Sequence, residues 1–369
     1  MVLLIIFVFC VVVLLCCSPI RCYEAALMLA DISAGKEPSR WKKIKPAPER
    51  EEVAFERNGR QYLGDLYRSP EGMLAAILLI PGAAELGRDD PRLVALAMTL
   101  ARARFAVLVP EIPSLRRLQV NPGNIREVRD AFAWLSSRAD LAPQGRAGMA
   151  AFSYAAGPAI LAALEPEIRD RVRFILAVGG YHDLERVLVF FTTGHFRLGG
   201  KWSYMEPNAY GKWVFVLHNA EILSDAEDGK LLRMMARRKM DDLSADIDDL
   251  RVGLGPEGRG VYTFITNRDP VKGLQLLGKL PEGIREDIAA LNLAGKDLAQ
   301  LKARLLLVHG YDDNIIPYTE SIALAAAVPR NSSSLFLGRG LMHVDYEPDF
   351  STIWSFWRAV GRLLEEREK

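Results

Sequence analysis

The stretch GMAAFSYAAG, residues 148–157, surrounds one aliphatic hydroxyl, Ser153, with small residues. An apolar run precedes it and a helix-patterned run, AGPAILAALE, follows. A serine at a sharp strand-to-helix turn has its Oγ pushed out at the top of a sheet, and the tightness of that turn demands small neighbours. The chemistry of such a serine is nucleophilic attack on an acyl carbonyl. The usual pattern is G-x-S-x-G, and here alanine holds both glycine positions, at Ala151 and Ala155. The alternative is a serine that caps the following helix.

An attacking serine needs a base, and the chain has five histidines. His343, in GRGLMHVDYEP, falls between the last apolar strand pattern and the last helix pattern, in a loop able to reach back to a serine two or three strands away. The base needs a carboxylate to hold its tautomer and stabilise the imidazolium. Asp313 and Asp312 in VHGYDDNIIP are candidates, and Asp183 in GGYHDL is a rival. The developing oxyanion needs preorganised donors. Those expected are the backbone N–H of Tyr154, after the nucleophile, and that of Ala83 or its neighbour Ala84, after the Pro81–Gly82 turn.

The elements that would position these groups follow a rhythm. Apolar strand patterns appear at 73–82, 105–113, 146–153 and 171–184, and again in ARLLLVHG and SSSLFLG. Helix-patterned runs separate them. Continuous apolar strands alternating with helices indicate an α/β fold with a mostly parallel sheet covered on both faces. In such sheets the functional loops lie at the carboxyl ends of the strands, which is where Ala83, Ser153, Asp313 and His343 fall. Between 185 and 300 the rhythm stops. That segment begins with Phe190, Phe191, Phe196, Trp202, Tyr204, Trp213 and Phe215 and continues with charged helical patterns. It is too long for a connection and reads as an inserted, mainly helical cap. Its aromatics either line an apolar acyl or alcohol pocket or hold the cap to the sheet.

The 369-residue chain has a formal net charge of +1, which gives no electrostatic reason to expect a nucleic-acid partner. Cys10, Cys16, Cys17 and Cys22 all lie within the first 22 residues, which excludes a disulfide framework or a cysteine-ligated zinc in the body. The run from Val2 to Cys17 is unbroken and apolar, about 16 residues against the ~20 that span a bilayer. It lacks a basic start, and basic residues follow it. It reads as an export signal, an uncleaved anchor, or a lipoprotein signal ending at Cys17 or Cys22. The bland alternatives are a misplaced start or a buried N-terminal helix. The expectation is membrane association through residues 2–20, or export.

These segments resemble the α/β-hydrolase superfamily, in order: LLIPGAA for the oxyanion loop, AFSYA for the nucleophile elbow, LLLVHGYDDNIIP for the acid loop and LMHVD for the histidine loop. The resemblance covers about 52–184 and 300–365. It implies an α/β-hydrolase sheet flanked by helices, with a cap inserted after the sixth strand, and it places the acid on Asp313. The implied division is 1–22 signal or anchor, 23–50 helix and linker, 51–184 and 301–369 hydrolase core, and 185–300 cap. The implied activity is hydrolysis of a small-molecule carboxylic ester, with an apolar part, through Ser153, Asp313 and His343. No cofactor or metal is needed. An acyltransferase or thioesterase of the same superfamily and a non-catalytic, membrane-tethered binding protein are the alternatives.

Overall fold

A computed structural model describes residues 18–340 and 350–369. The first half of the chain runs α1 (Pro19–Ala34), α2 (Arg40–Ile44), β1 (Glu49–Arg57), β2 (Arg60–Arg68), β3 (Ala75–Ile80), α3 (Pro91–Arg102), β4 (Phe105–Pro110), α4 (Pro113–Arg116), α5 (Gly123–Ser137), β5 (Ala147–Phe152), α6 (Ala156–Leu164) and β6 (Phe174–Val178). An insertion follows: α7 (Leu184–Thr193), the hairpin β7 (His195–Leu198) and β8 (Lys201–Tyr204), then α8 (Ala209–Asn219), α9 (Ala226–Asp241), α10 (Asp248–Arg251), α11 (Pro256–Thr266), α12 (Pro270–Leu277) and α13 (Glu282–Leu291). The chain then returns through β9 (Arg304–Gly310), α14 (Thr319–Ala327), β10 (Ser333–Gly338) and α15 (Phe350–Glu368).

Eight strands form one sheet in the order β1-β2-β4-β3-β5-β6-β9-β10. From β4 to β10 every pair is parallel, and β1 and β2 close one edge antiparallel. The reason for the continuous apolar strands is visible in β3. Ala76, Leu78 and Ile80 pack into the core on one face with α5 and α6, while Ala75, Ile77 and Leu79 pack into the core on the other with α1, α3 and α15. Side chains alternate across a strand, so a strand covered on both faces must be apolar at every position. Each buried Leu or Ile contributes roughly 2 kcal/mol.

The β1–β2 hairpin was not legible from apolar runs, because β1 reads EREEVAFER and is mostly exposed. Its signal is Asn58–Gly59 between the two strands, with φ of 51° and 72°. Two left-handed residues in a two-residue loop match the right-handed twist of the strands they join. Residues 23–50 also differ from a helix followed by a linker. The helix begins at Pro19, so it includes Cys22, which is buried. The supposed linker carries α2, whose Trp41 is 2% exposed and packs beneath the sheet. The four residues KKIK hid this anchor. Residues 1–17, with the apolar run and Cys17, lie outside the described residues; no described helix is long and apolar enough to cross a membrane.

The insertion has its own hydrophobic core, built from α7 to α13 and including Trp213, Phe215, Phe264 and Ile284. It is tied to the sheet by Tyr181, whose hydroxyl donates to the Leu291 carbonyl at 2.9 Å, and by Asn208 N–H, which donates to the Asn314 carbonyl at 2.8 Å. Within α8, His218 is buried with neither ring nitrogen hydrogen-bonded among the described residues. Asp287 lies 3.8 Å away, beyond hydrogen-bond reach, and burial pushes its own carboxyl up. Burial pushes the His218 imidazole down to about 4. The folded state therefore binds this proton later than the unfolded state on acidification. Stability is full above the unfolded pKa of about 6.5 and falls as pH drops from there towards 4, by about 3 kcal/mol. His218→Gln should flatten that part of the pH profile of urea midpoints; an unchanged slope would reject this role.

Candidate active site

The chain leaves β5 and enters α6 through one tight turn, Ser153–Ala155. Ser153 has φ of 54°, in the left-handed region where residues with a Cβ are strained. Such strain is retained where the surroundings over-determine it, commonly at functional sites. Ser153 does not cap the helix: the turn and α6 have Phe152 and Ala155 at their N-cap positions, and neither makes a side-chain capping bond. Small neighbours are required here. Ala151, Ala155 and Ala156 are fully buried. A Cβ on Gly157 would lie 2.0 Å from the Tyr181 hydroxyl oxygen, and one on Gly180 would lie 2.7 Å from the Ala156 Cβ.

The loop after β3 runs beside this turn. A Cβ on Gly82 would lie 3.5 Å from the Phe152 carbonyl oxygen and 4.0 Å from the Ser153 Cβ. The neighbouring amides of Ala83 and Tyr154 make no hydrogen bond among the described residues. Tyr154 is partly buried, its desolvated hydroxyl is pushed well above the usual range, and its ring stacks on Tyr181 with centroids 6.4 Å apart.

Asp313 lies beyond the end of β9, two strands from β5 with β6 between them. Its Oδ1 accepts from the Ile315 and Ile316 amides, each at 2.9 Å. Its Oδ2 is 3.4 Å from His309 Nε2 and would be 3.2 Å from a Cβ on Gly179, which has φ of 63°. Gly179 at the end of β6 thus leaves room for the carboxylate. His309 was part of the acid-loop pattern, but its role comes from packing. It is fully buried, with Nδ1 2.7 Å from Ser321 Oγ and Nε2 2.8 Å from the Ile316 carbonyl. A carbonyl only accepts, so Nε2 carries the proton and Nδ1 accepts from Ser321. This ring braces the same turn that Asp313 closes.

The rival carboxylates have other partners. Asp183 is the N-cap of α7: its Oδ1 accepts from the Glu185 and Arg186 amides, and its Oδ2 pairs with Arg186 Nε at 3.1 Å. Buried Glu320 accepts from the His182 and Asp183 amides and holds that loop in place. Asp312 accepts from the Gly340 amide at 2.8 Å, which ties the chain leaving β10 to the acid loop. His343 lies outside the described residues.

Of the aromatics at the start of the insertion, Phe190, Trp213 and Phe215 are buried, and Trp213 and Phe215 belong to the insertion's core. Trp202 and Tyr204 are exposed on the β7–β8 hairpin. Phe191 is the one that packs against both the sheet-side core and the insertion's core. Among the described residues no group of three or more His, Cys, Asp or Glu could hold a metal ion.

No protein-family model matches the chain, and no curated protein matches it. Solved structures do. A Pyrobaculum calidifontis esterase shares 13% identity over 95% of this chain and 92% of its own, with a TM-score of 0.48. A hypothetical protein from Pseudomonas aeruginosa shares 16% over 90% of this chain and 98% of its own, with a TM-score of 0.47. AbyA5 shares 17% over 81% of this chain, with a TM-score of 0.40, and the match spans 62% of AbyA5. These likenesses concern the course of the chain alone. The fold assignment rests on the molecule itself: a mostly parallel eight-stranded sheet, a strained serine turn after β5 flanked by the loop after β3, and a helical insertion between β6 and β9. With helices on both faces of that sheet, the chain has the α/β-hydrolase fold.

Proposed function

We propose that the protein is a serine hydrolase that cleaves a small-molecule carboxylic ester through an acyl-enzyme. The observation that carries this reading is Ser153 held at φ 54° on the turn between β5 and α6. His343 removes the Ser153 proton as Oγ attacks the acyl carbonyl. The Ala83 and Tyr154 amides, which have no other partner among the described residues, receive the oxyanion. Asp313 orients His343 and stabilises the imidazolium. The leaving alcohol takes the proton from His343, and water then repeats the sequence on the acyl-enzyme. The Asp312–Gly340 bond supports this assignment, because it starts the histidine loop beside the acid loop.

A fluorophosphonate probe tests the nucleophile. The full chain should be labelled covalently, and its Ser153→Ala twin should not; a folded parent that stays unlabelled would refute the proposal. The acid is tested separately. Asp313→Asn should lower kcat by about 10⁴, the loss expected when an orienting carboxylate can no longer fix the histidine tautomer. Asp183→Asn should leave kcat within a few fold and, because asparagine caps a helix as well as aspartate, leave stability within about 0.5 kcal/mol in an equilibrium unfolding curve. The reverse ranking of the two in kcat would move the acid to Asp183.

A further inference from the structure

At the edge where the parallel strands begin, a basic residue precedes every strand from β4 to β10 in the sheet except β3, which follows Met73 and Leu74. Arg104 stands before β4, Arg146 before β5, Arg173 before β6, Lys302 before β9 and Arg330 before β10. None of these five forms an ion pair among the described residues. Arg104 and Arg146 donate to neutral oxygens, of Gly72 and Gln144. The row spans the positions of β4 to β10, five strand intervals or about 24 Å. Under its β6–β10 end lies a cleft of about 410 Å³ lined by five basic side chains, Arg173, Lys302, Arg304, Arg330 and Lys369, against one carboxylate, Glu366. Glu366 is matched by Arg304 at 3.2 Å, and Lys369 pairs with Glu365 outside the lining. Arg173, Lys302 and Arg330 keep their charge facing solvent.

The same edge is where α1 begins. Arg21 pairs with Glu368, and Arg367 binds Glu24 at 2.7 and 2.8 Å. These contacts place the first turn of α1 against the last turn of α15, next to Lys369 of the cleft. Ile20 is 78% exposed there and Tyr23 51% exposed. The apolar run 2–17 immediately precedes this turn in sequence.

We infer that this edge of the sheet docks on an anionic phospholipid surface. The row is too wide for one phosphate ligand and suits an array of headgroups. The exposed Ile20 and Tyr23 beside it, with the apolar run just upstream, favour a membrane over a nucleic acid. Basic residues close to an anionic bilayer each strengthen binding roughly fivefold, and the effect is screened within a Debye length. The orientation follows. Ser153 and Asp313 lie at the opposite ends of strands β5 and β9, about 20 Å farther from the bilayer, so the candidate active site opens to the aqueous phase.

The test uses the full chain and flotation with vesicles of phosphatidylcholine alone or with 30% phosphatidylserine. The comparison is between the parent and Arg173→Gln/Lys302→Gln/Arg330→Gln, whose exposed substitutions lie far from Ser153; the single Arg330→Gln serves if the triple variant does not fold. On anionic vesicles at 0.1 M salt the parent should partition on the order of 100-fold more strongly than the triple variant, or roughly fivefold more than the single one. At 0.5 M salt most of the difference should vanish. On neutral vesicles the two should be equal, because the apolar run is common to both. Equal partitioning of parent and variant on anionic vesicles would overturn the proposal. Saturable binding of pyrophosphate or of a short DNA duplex, with no preference for anionic vesicles, would also overturn it and assign the cluster to that ligand.

Discussion

Replacing Ser153 by alanine should lower ester hydrolysis by on the order of 10⁵-fold and leave the fold intact. The substitution removes one oxygen, the one that would form the covalent bond of the proposed acyl-enzyme. A nucleophile acts as a unit with its base and its acid, so removing it alone costs nearly as much as removing all three. What survives is the contribution of oxyanion donors and binding. Stability should barely move. Alanine has the same Cβ and the same objection to φ of 54°, and Ser153 makes no helix-capping bond that would be lost. Equilibrium unfolding should therefore agree with the parent within about 0.5 kcal/mol. Retained hydrolysis by a folded Ser153→Ala protein would show that another residue attacks the ester. Lost hydrolysis together with a large fall in stability would mean that the turn had collapsed.

Gly157→Ala should show the opposite pattern, a large loss of stability from a change of one methyl group. The new Cβ would lie 2.0 Å from the Tyr181 hydroxyl oxygen and 2.4 Å from its Cζ. Tyr181 cannot step aside, because it is fully buried and its hydroxyl is bonded to the Leu291 carbonyl. Either α6 moves away from β6, or Tyr181 gives up its tie to α13. Overpacking of this kind costs about 3 kcal/mol or more, and the thermal midpoint should fall by roughly 4 °C or more. Gly295→Ala is the control, since nothing lies within 4 Å of its added Cβ, and it should stay within about 0.5 kcal/mol. Similar losses from both substitutions would reject the steric account. The clash is adjacent to the serine turn, so Gly157→Ala should also slow fluorophosphonate labelling of whatever protein remains folded.

Much of the fold was legible because burial on both faces leaves a period-two strand no polar positions. AAILLI, FAVLVP and LLLVHG announce themselves as β3, β4 and β9 for that reason. The β1–β2 hairpin escaped the same reading because it lies at an edge, where exposed charges such as Glu49, Glu51 and Glu52 are tolerated and serve to discourage further pairing. Asn58–Gly59 was the available signal for it. In residues 36–50 the lysines and prolines concealed α2, because one buried residue, Trp41, is enough to dock a five-residue helix and leaves no periodic trace.

By itself the sequence determined the layered α/β architecture, the place of the insertion, and a set of serine, aspartate and histidine candidates at strand ends. Those are properties of local pattern and chain order. It offered Asp313 as the acid, with Asp312 and Asp183 as alternatives. Asp183, Asp312 and Asp313 are alike as side chains. The tertiary structure gives each its own partners: Asp183 caps α7, Asp312 accepts from Gly340 through one oxygen, and Asp313 is held by two amides beside the fully buried His309. The left-handed φ of Ser153, the contact of Gly157 with Tyr181, and the basic edge beside the start of α1 were likewise decided only in three dimensions. A side chain's hydrogen-bond partners and the space around its backbone come from residues brought together by the sheet, and no window of sequence contains them.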